Sequence, residues 1–375
     1  MQDIGSRPMA TATMTKPKPI GVGIIGANPE SSWAARAHIP ALRGLPAYEL
    51  RALSTSRRET AEAASQKFGV PLAFDNAAEL VARPEVDLVI VSVKVPTHHG
   101  LVSTALQAGK DVYCEWPLGN GLAEAEDMAA LARARGVRAL VGLQARASPT
   151  VRYVRDLIAN GFVGEVLSTS IVASGGGNGA TIAPGAEYVL DERNGASLLT
   201  IPFGHTVDAL CWCLGEFAEL SATFAIRRPQ VILTGTDRIL TQTTADQVAV
   251  SGVLAKGAVA SIHYRGGSSR GTNLLWEING TEGDLVISGD VGHLQLTPLK
   301  LSGGNTKQDF GPLPIPERYI PAPGVPEGLA FNVAQAYAQF AEDPDSVPSF
   351  EDAVVRHRMI EAIRTAARTG QRQRL

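Results

Sequence analysis

The chemistry in this sequence centres on His205 and Asp208, two polar side chains three positions apart in a largely apolar helical pattern. Residues three apart lie on one face of a helix, so the carboxylate is expected to orient the imidazole. Histidine titrates near neutral pH and therefore suits proton transfer to or from a substrate. A histidine hydrogen-bonded at a seam between domains is the alternative, and the sequence leaves it open.

A second concentration of polar groups follows the first apolar run of the chain. This run predicts a buried strand, Gly26 predicts a tight turn, and residues 34–45 predict a helix whose first amides are free. Asn28 tolerates the left-handed angles of such a turn, and Ser31 or Ser32 can cap the helix and donate to phosphate. The stretch therefore predicts a pyrophosphate site, with an ordinary strand-to-helix turn as the alternative because two of the usual glycines are missing.

The next predicted strand ends in a polar turn that contains hydroxyls and arginines and no carboxylate. Its candidates for contact with the adenosine ribose are Ser54, Thr55 and Arg57. A carboxylate at this place binds the ribose of NAD, whereas hydroxyls and a guanidinium suit the 2′-phosphate of NADP. The sequence therefore favours NADP slightly over NAD.

Composition excludes several classes of partner. The chain has 375 residues, 45% of them hydrophobic, and a formal net charge of −3. That length suits two domains, and the charge offers no basic surface for nucleic acid. Three cysteines without metal-like spacing indicate a reducing, cytoplasmic location, and no metal site is predicted. No apolar run approaches the ~20 residues needed to cross a membrane, so no membrane association is expected.

The pattern of elements predicts two domains of different class. Strands and helices alternate through residues 20–145, which predicts an α/β domain with a doubly wound parallel sheet of the Rossmann type. Later residues show strand patterns with hairpin signals, which predict an α+β domain with a large open, mainly antiparallel sheet. The predicted division is a disordered leader at 1–18, a dinucleotide-binding domain at 19–145 and a substrate and oligomerisation domain at 146–375. Residues 297–326, rich in proline and glycine, are expected to form a surface loop.

Four motifs, in this order and spacing, resemble the Gfo/Idh/MocA oxidoreductase family over residues 20 to about 370. They are the turn at Gly26, a strand-end segment closing at His99, Glu115-x-Pro117, and His205 with Asp208. The resemblance implies NAD or NADP as cofactor, a sugar-like or cyclic small-molecule substrate, and a homodimer or homotetramer. It also implies that residues of the glycine loop and of two strand ends contact the dinucleotide, among them Trp33, Lys94, His99, Glu115, Trp116 and Pro117.

Two departures from the family pattern concern the reaction itself. Trp116 occupies the place of the family's lysine beside the reacting carbinol, and Ile201 occupies that of an aspartate often found four residues before the histidine. An indole cannot exchange a proton at neutral pH, so Trp116 is expected to form a wall against the substrate ring. Lys94 is then the candidate for the missing positive charge, with Tyr188 as a weaker catalytic candidate.

Two functions of different classes follow. As an enzyme, the protein would transfer hydride between a nicotinamide and a secondary alcohol or carbonyl of a sugar, cyclitol or related small molecule, with His205 handling the proton. As a regulator, it would bind the dinucleotide as a ligand in an inert cleft, and another protein would dock on the open sheet. The glycine loop and the Glu-Trp motif are also similar to a regulatory member of the family. The presence of His205 and Asp208 favours the enzyme.

Overall fold

The computed structural model describes residues 18–375 of the chain. The leader predicted over residues 1–18 lies outside this range apart from its last residue. Two large sheets dominate the described part, one of them parallel and the other mainly antiparallel. The predicted fold class is confirmed, whereas the division of the chain at residue 145 stays a prediction.

The first sheet is parallel and has six strands. They are β1 (Ile20–Ile25), β2 (Tyr48–Ser54), β3 (Leu72–Phe74), β4 (Leu88–Val91), β5 (Asp111–Glu115) and β6 (Ala139–Gly142). Their order in space is β3-β2-β1-β4-β5-β6, which is that of a Rossmann fold. All of β4 is buried, as expected for a strand covered by helices on both faces. The order reverses between β1 and β4, so a crevice opens at the carboxyl ends of these two strands.

Five helices flank this sheet. They are α1 (Ile39–Arg43), α2 (Arg58–Phe68), α3 (Ala77–Val81), α4 (His98–Gln107) and α5 (Leu122–Arg135). A wider π-helical stretch (Ala34–His38) runs directly into α1. The helix predicted after the glycine turn is therefore present, with an irregular first half.

The second half of the chain adds twelve strands. They are β7 (Val166–Gly175), β8 (Thr181–Ile182), β9 (Phe217–Ala225), β10 (Gln230–Leu233), β11 (Ile239–Thr241), β12 (Gln247–Leu254), β13 (Val259–Gly266), β14 (Leu274–Gly280), β15 (Gly283–Gly289), β16 (Lys300–Asn305), β17 (Gln308–Pro312) and β18 (Gln373–Arg374). Nine of them form the large sheet in the order β17-β16-β15-β14-β7-β13-β12-β9-β18. Within it only β7 and β13 pair in parallel. The other three form a small sheet in the order β11-β10-β8.

The residues expected to form a surface loop between 297 and 326 contain β16 and β17, so that expectation is wrong. β16 pairs with β15 along its whole length, and Leu301 points into the core with 5% of its surface exposed. A Cβ on Gly303 would lie 2.6 Å from a side-chain carbon of Leu285, so glycine lets the strand approach closely. Glycine and serine have low strand propensity, which hid these strands in the sequence.

Four further helices complete the fold. They are α6 (Pro149–Ala159), α7 (Gly204–Leu214), α8 (Phe331–Glu342) and α9 (Phe350–Thr369). A π-helical stretch (Leu199–Phe203) leads into α7, and every residue of α7 except Trp212 is buried. Among residues 18–375, no helix combines the length and the apolar composition that crossing a bilayer requires.

The last two helices pack back onto the first sheet and its helices. Val141 of β6 donates its backbone N–H to the carbonyl of Pro348, 2.9 Å away, just before α9. On α8, the hydroxyl of Tyr337 lies 2.7 Å from Nδ1 of His38. On α9, Arg358 forms an ion pair with a glutamate of α5. Residues from the end of the chain thus cover the outer edge and one side of the parallel sheet.

Candidate active site

The end of β1 requires a glycine. Gly26 has a φ of +98°, and a Cβ at this position would lie 2.3 Å from the carbonyl oxygen of Ser92. Any side chain would therefore force apart the ends of β1 and β4. The turn keeps these two ends close, at the point where the crevice opens.

Internal hydrogen bonds hold the loop after Gly26. Asn28 Oδ1 accepts from the backbone N–H of Glu30 at 2.9 Å. Ser32 Oγ donates to the Asn28 carbonyl at 2.6 Å and accepts from the N–H of Ala35 at 3.1 Å. Ser32 therefore caps the helix start, while the side chain of Ser31 is exposed.

A groove of about 510 Å³ lies above the ends of β1 and β2. Its lining contains five of the predicted cofactor residues, Gly26, Asn28, Ser54, Thr55 and Arg57, together with Ile25, Ser56, Thr60, Asp75, Asn76, Ala77, Val93, Thr97 and Leu101. Sequence reasoning missed Thr60, Asp75 and Asn76, because they reach the groove from the following helix and strand.

The two arginines after β2 differ in whether their guanidinium groups already have partners. Arg58 donates to Glu62 at 2.7 Å and to the carbonyl of Ala73 at 3.3 Å. Arg57 lines the groove, is exposed and forms no ion pair within the described residues. Arg57 is therefore the guanidinium available to a ligand phosphate.

Glu115, at the end of β5, has two polar partners that the sequence did not suggest. Gln144 donates to its Oε1 at 2.7 Å, and Nε2 of His38 lies 2.9 Å from the same oxygen. The carboxylate is thereby held between the first helix and the end of β6. Its predicted contact with the dinucleotide stays a prediction.

The expectation that Trp116 walls the substrate is wrong. Its side chain is buried with 4% of its surface exposed, and its indole N–H donates to the carbonyl of Thr200 at 2.6 Å. Its ring centre lies 4.7 Å from that of His357 on α9. A Cβ on Gly204 would lie 2.8 Å from the indole nitrogen, so α7 begins directly against the ring. Trp116 therefore fixes the first domain to the start of α7, and its only hydrogen-bond donor is in use.

His205, the second residue of α7, is 2% exposed. Its ring centre lies 4.9 Å from that of His293, a half-buried residue after β15. Nδ1 of each ring is buried and has no hydrogen-bond partner within the described residues. The pair therefore keeps hydrogen-bonding capacity that residues 18–375 leave unused. Sequence reasoning missed His293 because it lies in a turn, where no periodicity predicts its neighbours.

Asp208 does not orient His205, and that expectation is wrong as well. Arg146 donates to both carboxylate oxygens, at 2.7 and 2.8 Å, and Arg356 donates to Oδ1 at 3.2 Å. Asp208 and Arg356 are fully buried, and Arg356 also pairs with Glu216 at 2.8 Å. A buried guanidinium must be compensated by charge, so it holds the carboxylate more strongly than a neutral imidazole does. Asp208 therefore joins α7 to α9 and to the segment after β6.

Burial keeps the rings of His205 and His293 uncharged at neutral pH. It lowers the pKa of His205 well below the usual range, with a further lowering from the neighbouring His293. Burial also lowers the pKa of His293 to about 4. Both rings are therefore neutral at pH 7, and each nitrogen without a proton can accept a hydrogen bond. His205 can therefore accept a hydrogen bond from a ligand hydroxyl, and its lowered pKa makes it a weaker base than a free imidazole.

Lys94 and Tyr188, predicted from separate parts of the chain, meet across the two domains. Lys94 Nζ lies 4.9 Å from the centre of the Tyr188 ring, in a cation–π arrangement. Lys94 is exposed, and burial raises the pKa of Tyr188. The described contacts join neither residue to His205.

Three other predicted cofactor residues lie outside the groove lining. His99 Nε2 lies 2.6 Å from a carboxylate oxygen of Asp127 on α5, so its position does not support a cofactor role. Trp33 is half-buried beside the helix start, and its indole nitrogen has no partner within residues 18–375. The carbonyl of Pro117 accepts from Nδ1 of His98 at 2.9 Å. Across the described residues, no three His, Cys, Asp or Glu side chains group as a metal site would need.

Comparison with known proteins identifies the family. The first domain matches the pattern of an oxidoreductase family with an NAD-binding Rossmann fold (GFO_IDH_MocA) over residues 20–143, and residues 149–289 match the C-terminal domain of Gal80p. Dehydrogenase aclE of Aspergillus oryzae is 32% identical over 94% of this chain and 98% of its own length. The chain belongs to the Gfo/Idh/MocA oxidoreductase family.

A regulatory protein is also similar to this chain over nearly its whole length. The galactose/lactose metabolism regulatory protein GAL80 of Saccharomyces cerevisiae is 26% identical over 94% of both chains. The crystal structure of a super-repressor mutant of Gal80p from the same yeast has a TM-score of 0.87 and 25% identity, over 95% of this chain and 98% of that one. Within the family, this chain therefore resembles both a dehydrogenase and a regulator over nearly its whole length.

The buried histidines give a prediction about acid stability. His357 and His293 have pKa values lowered by burial from the usual 6.5 to about 3 and about 4. Below pH 6.5 these two histidines bind protons in the unfolded chain but not in the folded chain. The free energy of unfolding is therefore expected to fall as the pH drops from 6.5 towards 4. Urea denaturation at pH 7 and pH 4.5 measures this loss. His357→Phe is expected to reduce this loss. An equal loss in wild type and His357→Phe would contradict the assignment.

Proposed function

We propose that this protein is an NADP(H)-preferring oxidoreductase that transfers hydride between nicotinamide and a secondary alcohol or carbonyl of a sugar, cyclitol or related ring compound. The observation that carries the proposal is the neutral imidazole of His205 at the start of a buried helix, in a chain of the oxidoreductase family; its Nδ1 has no hydrogen-bond partner among residues 18–375. The aclE dehydrogenase, similar over its full length, supports an enzymatic role.

The residues at the crevice fit a dinucleotide. The turn at Gly26 has no room for a side chain, so a diphosphate can approach the backbone there, while the N–H groups of Gly26 and Ala27 already donate to the Ser54 carbonyl and that of Ala35 to Ser32. Ser54, Thr55 and Arg57 line the same groove, and the Arg57 guanidinium forms no ion pair with any of residues 18–375. These residues would hold the phosphates and the ribose. Bound there, the cofactor would supply the hydride chemistry at its nicotinamide.

His205 handles the proton in this proposal. During alcohol oxidation it accepts the hydroxyl proton as the carbinol carbon loses its hydride, and in the reverse direction it returns that proton to the carbonyl oxygen. His293 places a second neutral imidazole beside it, which avoids repulsion between two positive charges. Lys94, exposed at the end of the strand-end segment, supplies positive charge near the developing oxyanion. Tyr188 holds Lys94 through its ring face.

A substrate panel tests the function. Purified protein is mixed with NADP or NADPH and with sugars, cyclitols, keto sugars and small cyclic ketones, and the absorbance of the reduced nicotinamide is followed. Turnover of at least one compound supports the enzyme. Measurable cofactor binding with no turnover on the whole panel refutes it.

Cofactor preference is expected to depend on Arg57. Replacing it by alanine removes a charge-assisted contact to the 2′-phosphate, which corresponds to about a tenfold or greater rise in the Kd for NADPH. The Kd for NADH, which lacks that phosphate, should change by less than about twofold. Arg58→Ala is the matched control, since Arg58 is engaged with Glu62. Equal weakening of both cofactors by Arg57→Ala, measured by fluorescence titration, would contradict the NADP preference.

A regulatory function is the second candidate, and Trp116 favours it. The family's lysine is replaced by an indole whose N–H is committed to Thr200, and the family's aspartate is replaced by Ile201. The similarity to GAL80 extends over 94% of the chain. In this function the dinucleotide controls binding of a partner protein, and the panel described above yields no turnover.

We also propose that a second copy of the chain covers the outer face of the nine-stranded sheet. His263, Val172 and Leu275 stand opposite one another on three neighbouring strands of that face. Neighbouring positions of the same face carry small uncharged side chains, among them Ser170, Ala249 and Ser261, and a low share of charged residues is typical of the core of homo-oligomer interfaces. Val172→Arg is expected to convert the oligomer to a monomer in light scattering, while Asp309→Arg at an exposed edge leaves its mass unchanged. A wild-type monomer, or an unaffected Val172→Arg oligomer, would contradict this assembly.

A further inference from the structure

The two segments that carry the histidine pair of the candidate site both contact one buried phenol. His205 is followed by Thr206 on α7, and His293 is preceded by Gly292 in the segment between β15 and β16. Tyr264 of β13 is fully buried, and its hydroxyl oxygen lies 2.9 Å from the carbonyl oxygen of Gly292 and 2.5 Å from Oγ1 of Thr206. A single side chain thus contacts the direct neighbour of each histidine.

The direction of both hydrogen bonds follows from the protons available. The carbonyl of Gly292 can only accept, so the Tyr264 hydroxyl donates its proton to it. The hydroxyl of Thr206 must then donate to the Tyr264 oxygen. Burial raises the pKa of Tyr264, so the phenol keeps its proton at neutral pH. The two bonds therefore form a chain from α7 through β13 to the segment that carries His293.

The support that Tyr264 gives is rigid at both ends. Its ring centre lies 5.7 Å from that of Phe203, the residue before α7, in an edge-to-face arrangement. At the other end, a Cβ on Gly292 would lie 2.0 Å from the carbonyl oxygen of Ser174, so this segment lies directly against the end of β7. Neither end has space to move closer, and the two hydrogen bonds of the phenol oppose a movement apart.

We propose that Tyr264 is a positioning residue that sets the separation of His205 and His293. The ring centres of the two histidines are 4.9 Å apart, and Nδ1 of each ring has no hydrogen-bond partner within the described residues. Their separation therefore depends on the backbone beside each ring. The inference rests on the proposed function, in which His205 handles the proton beside the neutral ring of His293. Tyr264 acts on that step through Thr206 and Gly292.

Tyr264→Phe removes the hydroxyl and keeps the ring. The carbonyl of Gly292 then lacks its donor, and the segment that carries His293 is free to move away from α7. Since a misplacement of about 1 Å can cost about 10²-fold in rate, kcat is expected to fall about 10- to 100-fold. KM and the Kd for NADPH should change by less than about twofold, because Tyr264 lies outside the groove lining.

Tyr48→Phe is the matched control. Tyr48 is also buried, and its hydroxyl donates to a backbone carbonyl, that of Tyr337, at 2.7 Å. This substitution removes the same kind of hydrogen bond, so it should cost a similar amount of stability in urea denaturation while kcat stays within about twofold of wild type. Equal losses of kcat in the two variants would overturn the proposal, because they would reflect a general loss of stability.

The separation of the two rings is also measurable by NMR without substrate or cofactor. In protein with isotope-labelled histidine, a nuclear Overhauser cross-peak between ring protons of His205 and His293 is expected in wild type and in Tyr48→Phe, and His205→Asn assigns it. Tyr264→Phe should lose this cross-peak. Its absence in wild type, its persistence in Tyr264→Phe, or its loss there with an unchanged kcat would each overturn the proposal.

If Tyr264→Phe fails to fold, as judged by circular dichroism, the bond from α7 decides. Thr206→Val removes the hydroxyl and keeps the shape, so it should weaken the cross-peak, whereas Thr206→Ser keeps the hydroxyl and should retain it. Any other result for this pair overturns the proposal. The outcome is separable from that of the proposed function. No turnover on the substrate panel, with the cross-peak lost in Tyr264→Phe, refutes the oxidoreductase alone, whereas turnover with a persistent cross-peak refutes the positioning role alone.

Discussion

Replacing His205 by asparagine is expected to lower kcat by about 10²- to 10⁴-fold, the usual contribution of a general acid–base group. Asparagine is close in size to the imidazole and can still fill the space beside His293, so α7 should keep its packing. It cannot accept a proton at any pH that the protein tolerates. Steady-state kinetics on the best substrate of the panel measures the loss.

The effect on turnover is expected to exceed any effect on cofactor binding. The Kd for NADPH should change by less than about threefold, because His205 lies on α7 and not in the groove lining. Gln308→Asn is the control, since that residue is exposed on β17. Equal losses in turnover and in cofactor affinity would assign His205 to the structure of the domain seam.

The activity of the wild type should also carry a pH signature. Burial lowers the pKa of His205 well below the usual range, so the ring stays neutral across pH 6–9 and its own titration should not limit kcat there. The pH profile of kcat measures this. A fall in kcat at acid pH with an apparent pKa near the usual 6.5 would mean that another group handles the proton, or that water reaches the His205 ring once substrate is bound.

The second large effect is expected at Asp208. Its removal leaves Arg356, which is fully buried, with Glu216 as its remaining ion pair, and Arg146 with Asp352. Breaking a buried ion pair on one side typically costs about 3–5 kcal/mol in the free energy of unfolding. Asp208→Leu is therefore expected to unfold at a much lower urea concentration than wild type.

A double variant separates the ion pair from the rest of the site. Asp208→Leu combined with Arg356→Met removes both charges, and its loss of stability should be smaller than the sum of the two single losses. Asp309→Leu, at an exposed strand residue, serves as the control. If Asp208→Leu kept its stability and lost turnover, the carboxylate would belong to the catalytic machinery after all.

Sequence patterns were sufficient for the fold because periodicity and turn residues are local signals. The run before Gly26 and the alternation after it predict a parallel sheet with five of its six strands, and the later strands predict the open one; the short edge strand β3 was not predicted. β16 was missed because Gly303 and Gly304 have low strand propensity, and the close approach between strands that requires them is visible only in the structure.

The site was harder to predict because its partners come from distant parts of the chain. Spacing placed Asp208 near His205, yet the carboxylate forms ion pairs with Arg146 and Arg356, which lie on other elements. His293 reaches His205 from 88 positions further along the chain, and no local pattern connects them. Trp116 has the right chemistry for a substrate wall, but the carbonyl of Thr200 and the ring of His357 enclose it.

The contacts from the C-terminal helices have a consequence for synthesis on the ribosome. Translation delivers the six strands of the parallel sheet first, but Pro348, which bonds to the edge strand β6, and α9, which pairs with α5, emerge more than 200 residues later. Until then the nascent Rossmann half keeps an open strand edge and an uncovered helix surface, the kind of exposure that chaperones engage. A stop codon before residue 348 should therefore leave a fragment that aggregates, even though every strand of its sheet has been made.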